Sequence, residues 1–191
     1  QNWKKFEEKK IIDWLTQVCQ ALKYLHKKHV IHRDIKPHNI FLTKKGFIKI
    51  GDFGISKKLN SSFGNASTFV GTPFYIPPEL IKGENYSFMA DMWSLGVTFY
   101  QLMTFKVPFN GNSIPSIMKK ILEQKGYEKI KDYSDELSRV IYQMMSYIPQ
   151  QRPKPEDILN MEFIQKRIKE YLNENKYNNL MSLTLIKQYQ E

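Results

Sequence analysis

The chain has 191 residues, 41% hydrophobic and 25% charged, the balance of one folded domain with a real core rather than of a disordered segment. No apolar run approaches the roughly 18 residues of a membrane span, the polar opening QNWKKFEEKK is unlike a secretory signal, and the single cysteine, Cys19, excludes an internal disulfide framework and fits a reducing compartment. The net charge of +10 would suit a polyanion, but the lysines come in pairs along the whole chain with no nucleic-acid motif, so they read as solvated faces, and neither nucleic acid nor membrane is expected as a partner.

In chain order, Ile11 to Lys28 reads as an amphipathic helix, with Ile11, Ile12, Leu15, Val18, Cys19, Leu22 and Leu25 at three- and four-residue steps. Cys19 lies on the apolar stripe and reads as a buried, inert thiol. Two short β-like runs follow, NIFL and FIKI, split by the turn TKKG with Gly46. Asp52 to Pro78 is rich in Ser, Asn, Gly and Pro and reads as a loop. DMWSLGVTFYQLM, Asp91 to Met103, is apolar almost all round, the mark of a helix at the centre of a core. Further helical patterns fall at Ile114–Leu122 and Leu137–Met145, then in RPKPEDIL, whose prolines sit early where they are tolerated, and in MEFIQKRIKEYL. With no internal repeat, this organisation is one mostly helical domain over residues 1–172 and a loosely docked tail over 173–191.

The chemistry is concentrated in two short motifs. HRDIKPHN places Asp34, Lys36 and Asn39 close together, and GDFG places Asp52 just after a strand. Phosphoryl transfer needs a carboxylate to orient the attacking hydroxyl, hard oxygen ligands for magnesium, and a cation near the moving phosphate. His26, His29, His32 and His38 do not make a zinc site, because no cysteine or acidic cluster completes the ligand set. Met144 and Met145 read as helix-face packing.

HRDIKPHN, DFG, GTPFY, IPPE, DMWSLG and the late Arg152–Pro153 occur in the order and spacing of the eukaryotic protein kinases, which this sequence resembles from end to end. The resemblance implies the large lobe of the kinase fold, mainly α with short β-hairpins carrying the catalytic and metal-binding loops. It implies ATP and Mg2+ as cofactors and protein Ser/Thr hydroxyls as acceptors. Asp34 would be the catalytic base and Lys36 the contact to the γ-phosphate. Asn39 and Asp52 would hold magnesium, and Phe41 would lie under the adenine. Thr72 would support Asp34 and Lys36. His32 and Phe53 would be spine members, Asp91 would anchor the catalytic loop, and Glu79 would pair with Arg152. Ser67 and Thr68 lie shortly before GTPFY, and similar kinases carry their activation hydroxyl where Thr68 sits, with Arg33 as partner of a phosphate there. Lys36 and GTPFY follow the Ser/Thr pattern, and Ile55 is similar to kinases that prefer threonine. IIDWLTQVCQALKYLH, IGDFGISKKLNSS and FIQKRIKEYL together resemble the NIMA-related (Nek) kinases. Pro77 departs from that group and is shared with Aurora-like kinases. The Nek resemblance implies a cytoplasmic protein with cytoskeletal, centrosomal or ciliary associations.

The resemblance covers the large lobe only. No G-x-G-x-x-G occurs, and Lys49 in FIKI cannot be the small-lobe lysine, because it lies three residues before Asp52. Losing that lysine's charge-assisted contact costs about 1.5–3 kcal/mol. With the missing hinge bonds, a combined loss of about 4 kcal/mol lowers nucleotide affinity about a thousandfold. The 191 residues alone are therefore expected to be inactive and to need an upstream small lobe or a partner protein. The alternative is a non-catalytic half-kinase that acts as a protein-binding module.

Overall fold

The first helix forms because the apolar steps of its sequence give it one continuous buried stripe. A computed structural model of the chain describes residues 5–51 and 73–174. In it α1 runs Glu8–Lys27 and buries Ile11, Leu15, Val18, Cys19 and Leu22. The helix ends where His29 turns left-handed at φ 57° and Val30 N–H closes back onto Leu25 O at 2.9 Å.

A 3₁₀ turn, Pro37–Asn39, leads into an antiparallel hairpin of β1, Ile40–Leu42, and β2, Ile48–Ile50. The register pairs Ile40 with Ile50, Phe41 with Lys49 and Leu42 with Ile48. Each strand is one residue shorter than NIFL and FIKI suggest. Asn39 is held in the 3₁₀ turn, and the Phe47 N–H is diverted to the Thr43 hydroxyl at 2.9 Å. Gly46 takes φ 83° in the turn, a conformation that strains any residue with a Cβ. The hairpin is fixed to α1 by the Ile48 N–H, which donates to Gln17 Oε1 at 2.8 Å.

Of the expected loop from Asp52 to Pro78, residues 52–72 lie outside the described residues. The rest is more ordered than its composition suggests: Pro73–Tyr75 is a 3₁₀ turn and α2, Pro78–Ile81, starts on a proline at its first position. The central helix α3 spans Phe88–Thr104, beginning three residues before the apolar run because the Ser87 side chain caps it, accepting from Met89 N–H at 3.3 Å. Trp93, Phe99, Tyr100 and Met103 of α3 are fully buried, and Trp93 stacks on Phe109 with centroids 5.7 Å apart. Helix α4 spans Ile114–Glu123 and α5 spans Asp135–Met144, starting two residues early because Ser134 caps the Leu137 N–H. Helices α3 and α5 meet at Gly96, where a Cβ would stand 2.9 Å from both Met144 and Met145.

Helix α6 covers Pro155–Leu159 and α7 Glu162–Glu174. The last helix crosses the expected boundary at residue 172, because Glu174 is drawn back onto Arg167 at 3.0 Å. Arg167 also grips Asp13 of α1 with Nε and Nη2 at 2.7 and 2.8 Å, tying the last helix to the first. The expected tail beyond Glu174 lies outside the described residues. The described fold is thus mainly helical, wrapped around α3, with one two-stranded sheet on its flank.

Candidate active site

The loop between α1 and β1 has no regular ladder to satisfy its backbone, so a buried side chain does it. Asp91 of α3 is fully buried. Its Oδ2 accepts from His32 N–H and its Oδ1 from Arg33 N–H, both at 2.9 Å. His26 Nε2 also lies 2.9 Å from Oδ2. Bonds to an ionised acceptor are among the stronger ones, so Asp91 fixes two successive peptides against the core.

Arg33 has φ 72°, a left-handed conformation that is uncommon for a residue with a Cβ. It is held from both sides. Asp91 takes its N–H, and the Tyr86 hydroxyl donates to its carbonyl at 3.1 Å. Burial pushes the Tyr86 hydroxyl well above the ordinary phenol range, so it remains a donor. The Arg33 guanidinium lies 5.7 Å from the Tyr86 ring centroid. The strained turn reverses the chain so that Asp34 emerges toward the surface.

Asp34, Lys36 and Asn39 converge. Asp34 Oδ2 accepts from Lys36 Nζ at 2.9 Å and from Asn39 Nδ2 at 2.8 Å, and Asn39 Nδ2 also donates to Asp34 O at 2.8 Å. Lys36 is extended, as the residue before Pro37 must be, which returns its side chain toward Asp34. Asp34 and Lys36 are half-buried, with side chains 29% and 30% exposed, while Asn39 is buried. With its amide nitrogen committed to Asp34, Asn39 has Oδ1 as the atom that could hold a cation, a hard oxygen of the kind magnesium prefers. The Asp34 N–H donates to His32 Nδ1 at 3.3 Å.

Gly51 N–H donates to Asn39 O at 2.9 Å, holding the end of β2 beside the loop. A Cβ on Gly51 would lie 2.6 Å from the Phe41 ring, so a larger residue there would push that exposed ring aside. Phe41 itself is 54% exposed on the face of the hairpin that also carries its cross-strand partner Lys49. Asp52, Phe53, Ser67, Thr68 and Thr72 lie outside the described residues.

Away from the loop, Glu79 and Arg152 meet in a two-pronged pair with both contacts at 2.7 Å. Arg152 also donates to Met89 O and Ser146 O, each at 2.8 Å, and its guanidinium lies 5.1 Å from the Trp93 ring. The Pro73–Tyr75 turn is docked on α3, where Ser94 Oγ donates to Tyr75 O at 2.9 Å and Tyr75 OH to Gln101 Oε1 at 2.6 Å.

Two residues that position the loop, His26 and Tyr86, are not apparent from the sequence. His26 is one of four histidines near the loop, and nothing local singles it out. Tyr86 lies in a polar stretch far along the chain from Arg33.

A profile of the protein kinase domain matches residues 1–164, and the chain belongs to the protein kinase family. It is similar to serine/threonine-protein kinase Nek4 of Mus musculus, 39% identical over 169 residues that make up 88% of this chain and 21% of the relative. It is also similar to the probable serine/threonine-protein kinase nek3 of Dictyostelium discoideum, 41% identical over 188 residues, with 93% of this chain and 17% of the relative covered. A third relative, serine/threonine-protein kinase Nek1 of Mus musculus, is 39% identical over 168 residues, or 88% of this chain and 14% of the relative. The chain thus spans about a fifth or less of the length of these curated relatives.

Proposed function

We propose that the chain carries the large catalytic lobe of a Ser/Thr protein kinase of the NIMA-related kind, which transfers the γ-phosphoryl group of ATP to a protein hydroxyl. The observation that supports the reading is the meeting of Asp34, Lys36 and Asn39 within 2.9 Å on a loop pinned to Asp91. In this reading Asp34 orients the acceptor Ser or Thr hydroxyl and receives its proton. The hydroxyl oxygen bonds to the γ-phosphorus as the bond to the β,γ-bridging oxygen breaks. Lys36 balances charge on the transferred group. Asn39 and Asp52 would hold Mg2+, which when bound neutralises phosphate charge, and Phe41 would form the floor beneath the adenine. Thr72 would brace Asp34 and Lys36 from the adjoining loop, and Ile55 would favour threonine acceptors. Phosphate on Thr68 would draw Arg33 from the Tyr86 ring into a two-pronged contact and raise activity. Thr68→Ala tests that switch: unchanged activity, with phosphate mapped elsewhere, would defeat it.

The 191 residues contain no G-x-G-x-x-G motif, so in this reading the clamp on the α- and β-phosphates is supplied by a small lobe. Positioning is worth about 7–11 kcal/mol of a barrier of this kind. The assay compares the purified chain with a chimera that carries a kinase small lobe ahead of Gln1, each given Mg-ATP and a basic acceptor protein. Transfer by the chimera alone is the expected result. Transfer by the isolated chain that Asp34→Asn abolishes would refute the need for a small lobe. A folded, nucleotide-binding chimera with no transfer would favour the binding-module reading.

A further inference from the structure

The positive charge is less evenly spread than its lysine pairs suggest. Residues 14–51 contain eight Lys or Arg and one carboxylate, Asp34, and so supply seven of the net ten positive charges. Lys23, Lys27, Lys28, Lys44, Lys45 and Lys49 are all exposed. Among the described residues none of the six pairs with a carboxylate, whereas Lys5, Lys9, Lys82, Lys106, Lys119 and Lys125 elsewhere do. The C-terminal end of α1 accounts for Lys27 and Lys28 through the helix dipole, but not for the three lysines of the hairpin.

Helix and hairpin form one face. The Ile48 N–H bonds Gln17, and Phe47 faces Gln17 and Gln20 across a crevice. Helical steps of three and four carry that stripe on from Gln20 to Lys23, Tyr24 and Lys27. The crevice is a narrow, half-open slot of about 30 Å3 between α1, Phe47 and α7, lined by Thr16, Gln17, Gln20, Phe47, Tyr171 and Leu172. Asp13 at its rim is committed to Arg167. The Thr16 hydroxyl lines the crevice, buried and without a hydrogen-bond partner among the described residues. A buried polar atom left in that condition costs stability, and an incoming backbone group would relieve it.

We propose that this face docks an acidic segment of a protein partner, with one apolar side chain in the crevice and carboxylates on Lys23, Lys27, Lys44 and Lys45. The recessed apolar slot favours a peptide over the other polyanions. Nucleic acid needs a basic track with exposed stacking rings, and an anionic membrane needs apolar side chains that protrude. The surface does not involve Asp34, Lys36 or Asn39, so it stands or falls apart from phosphoryl transfer.

The test is fluorescence anisotropy on the full 191-residue chain with a short labelled peptide of Glu and Ser carrying one central Leu. Its Leu→Ala form, a Lys-for-Glu form, a single-stranded DNA oligonucleotide and phosphatidylserine vesicles serve as comparisons. The Leu peptide is expected to bind best. Reversing the four lysines (K23E, K27E, K44E, K45E) is expected to weaken it about tenfold. Leu→Ala in the peptide is expected to weaken it about as much. Gln20→Trp, which fills the crevice, should bring the Leu and Ala peptides to equal affinity. The proposal is overturned if binding ignores lysine reversal, or if the Leu and Ala peptides already bind alike. It is overturned equally if DNA or vesicles bind more tightly than the peptide. Binding that appears only after residues 175–191 are removed would also overturn it, by showing that the chain's own end fills the crevice.

Discussion

Glu79 and Asp91 are both sealed from solvent, at 3% and 0% exposure, yet they are satisfied by different kinds of partner. Glu79 faces a full cation, Arg152, across two contacts of 2.7 Å, and so joins α2 to the loop before α6. Asp91 faces the peptide N–H groups of His32 and Arg33 and the ring of His26. The first arrangement holds two distant parts of the chain together. The second gives shape to the loop that carries Asp34, Lys36 and Asn39. Removing Glu79 or Arg152 should therefore damage the fold, and removing Asp91 the site.

Arg152→Ala should have the largest effect. It strands the Glu79 carboxylate and removes the donors to Met89 O and Ser146 O. A loss of about 3–5 kcal/mol is expected in denaturant unfolding, as for other broken buried pairs. A loss below about 1 kcal/mol, in the range of exposed pairs, would erase the contrast.

Asp91→Asn keeps the shape but turns an amide donor toward groups that are themselves donors. The expected loss is about 1–3 kcal/mol, with hydrogen exchange accelerated at His32 and Arg33. Unchanged protection at those two amides would mean that Asp91 is not their anchor.

Ser87→Ala sharpens the comparison further, because Ser87 caps the helix that carries Asp91. It should cost about 1 kcal/mol, measured as a shift in the denaturation midpoint. Cys19 then serves as a reporter of fold. Burial pushes its thiol far above the ordinary range, so the thiolate is scarce and shielded at neutral pH. Maleimide labelling should be negligible in the native chain and should speed up more in Arg152→Ala than in Asp91→Asn. The reverse order would contradict the assignment of Glu79–Arg152 to the fold.

Periodicity sufficed for the helices. The stripe from Ile11 to Leu25 and the apolar run at Asp91–Met103 are strong local signals, and the structure changes only their ends. The ends moved because Ser87 and Ser134 act through single side-chain bonds to backbone, which hydrophobic spacing does not register. The short strands were legible as a hairpin, but their lengths depend on Thr43 and on the Asn39 turn. At the candidate site, Asp34, Lys36 and Asn39 are close in sequence, so their meeting follows from local chain geometry. The contributions of His26 and Tyr86 were not legible. His26 is 65 residues from Asp91 and Tyr86 is 53 from Arg33, and no motif links either pair. The uneven charge became meaningful only when the hairpin was seen against α1.

The central claim is that Asp34 orients and deprotonates the acceptor hydroxyl, and turnover of Asp34→Asn in the small-lobe chimera tests it most directly. The substitution keeps the side chain's shape and leaves Lys36 and Asn39 in place. The account predicts that kcat for phosphate transfer falls by about a thousandfold or more while the KM for ATP stays nearly unchanged. Turnover within a few-fold of the parent would contradict it.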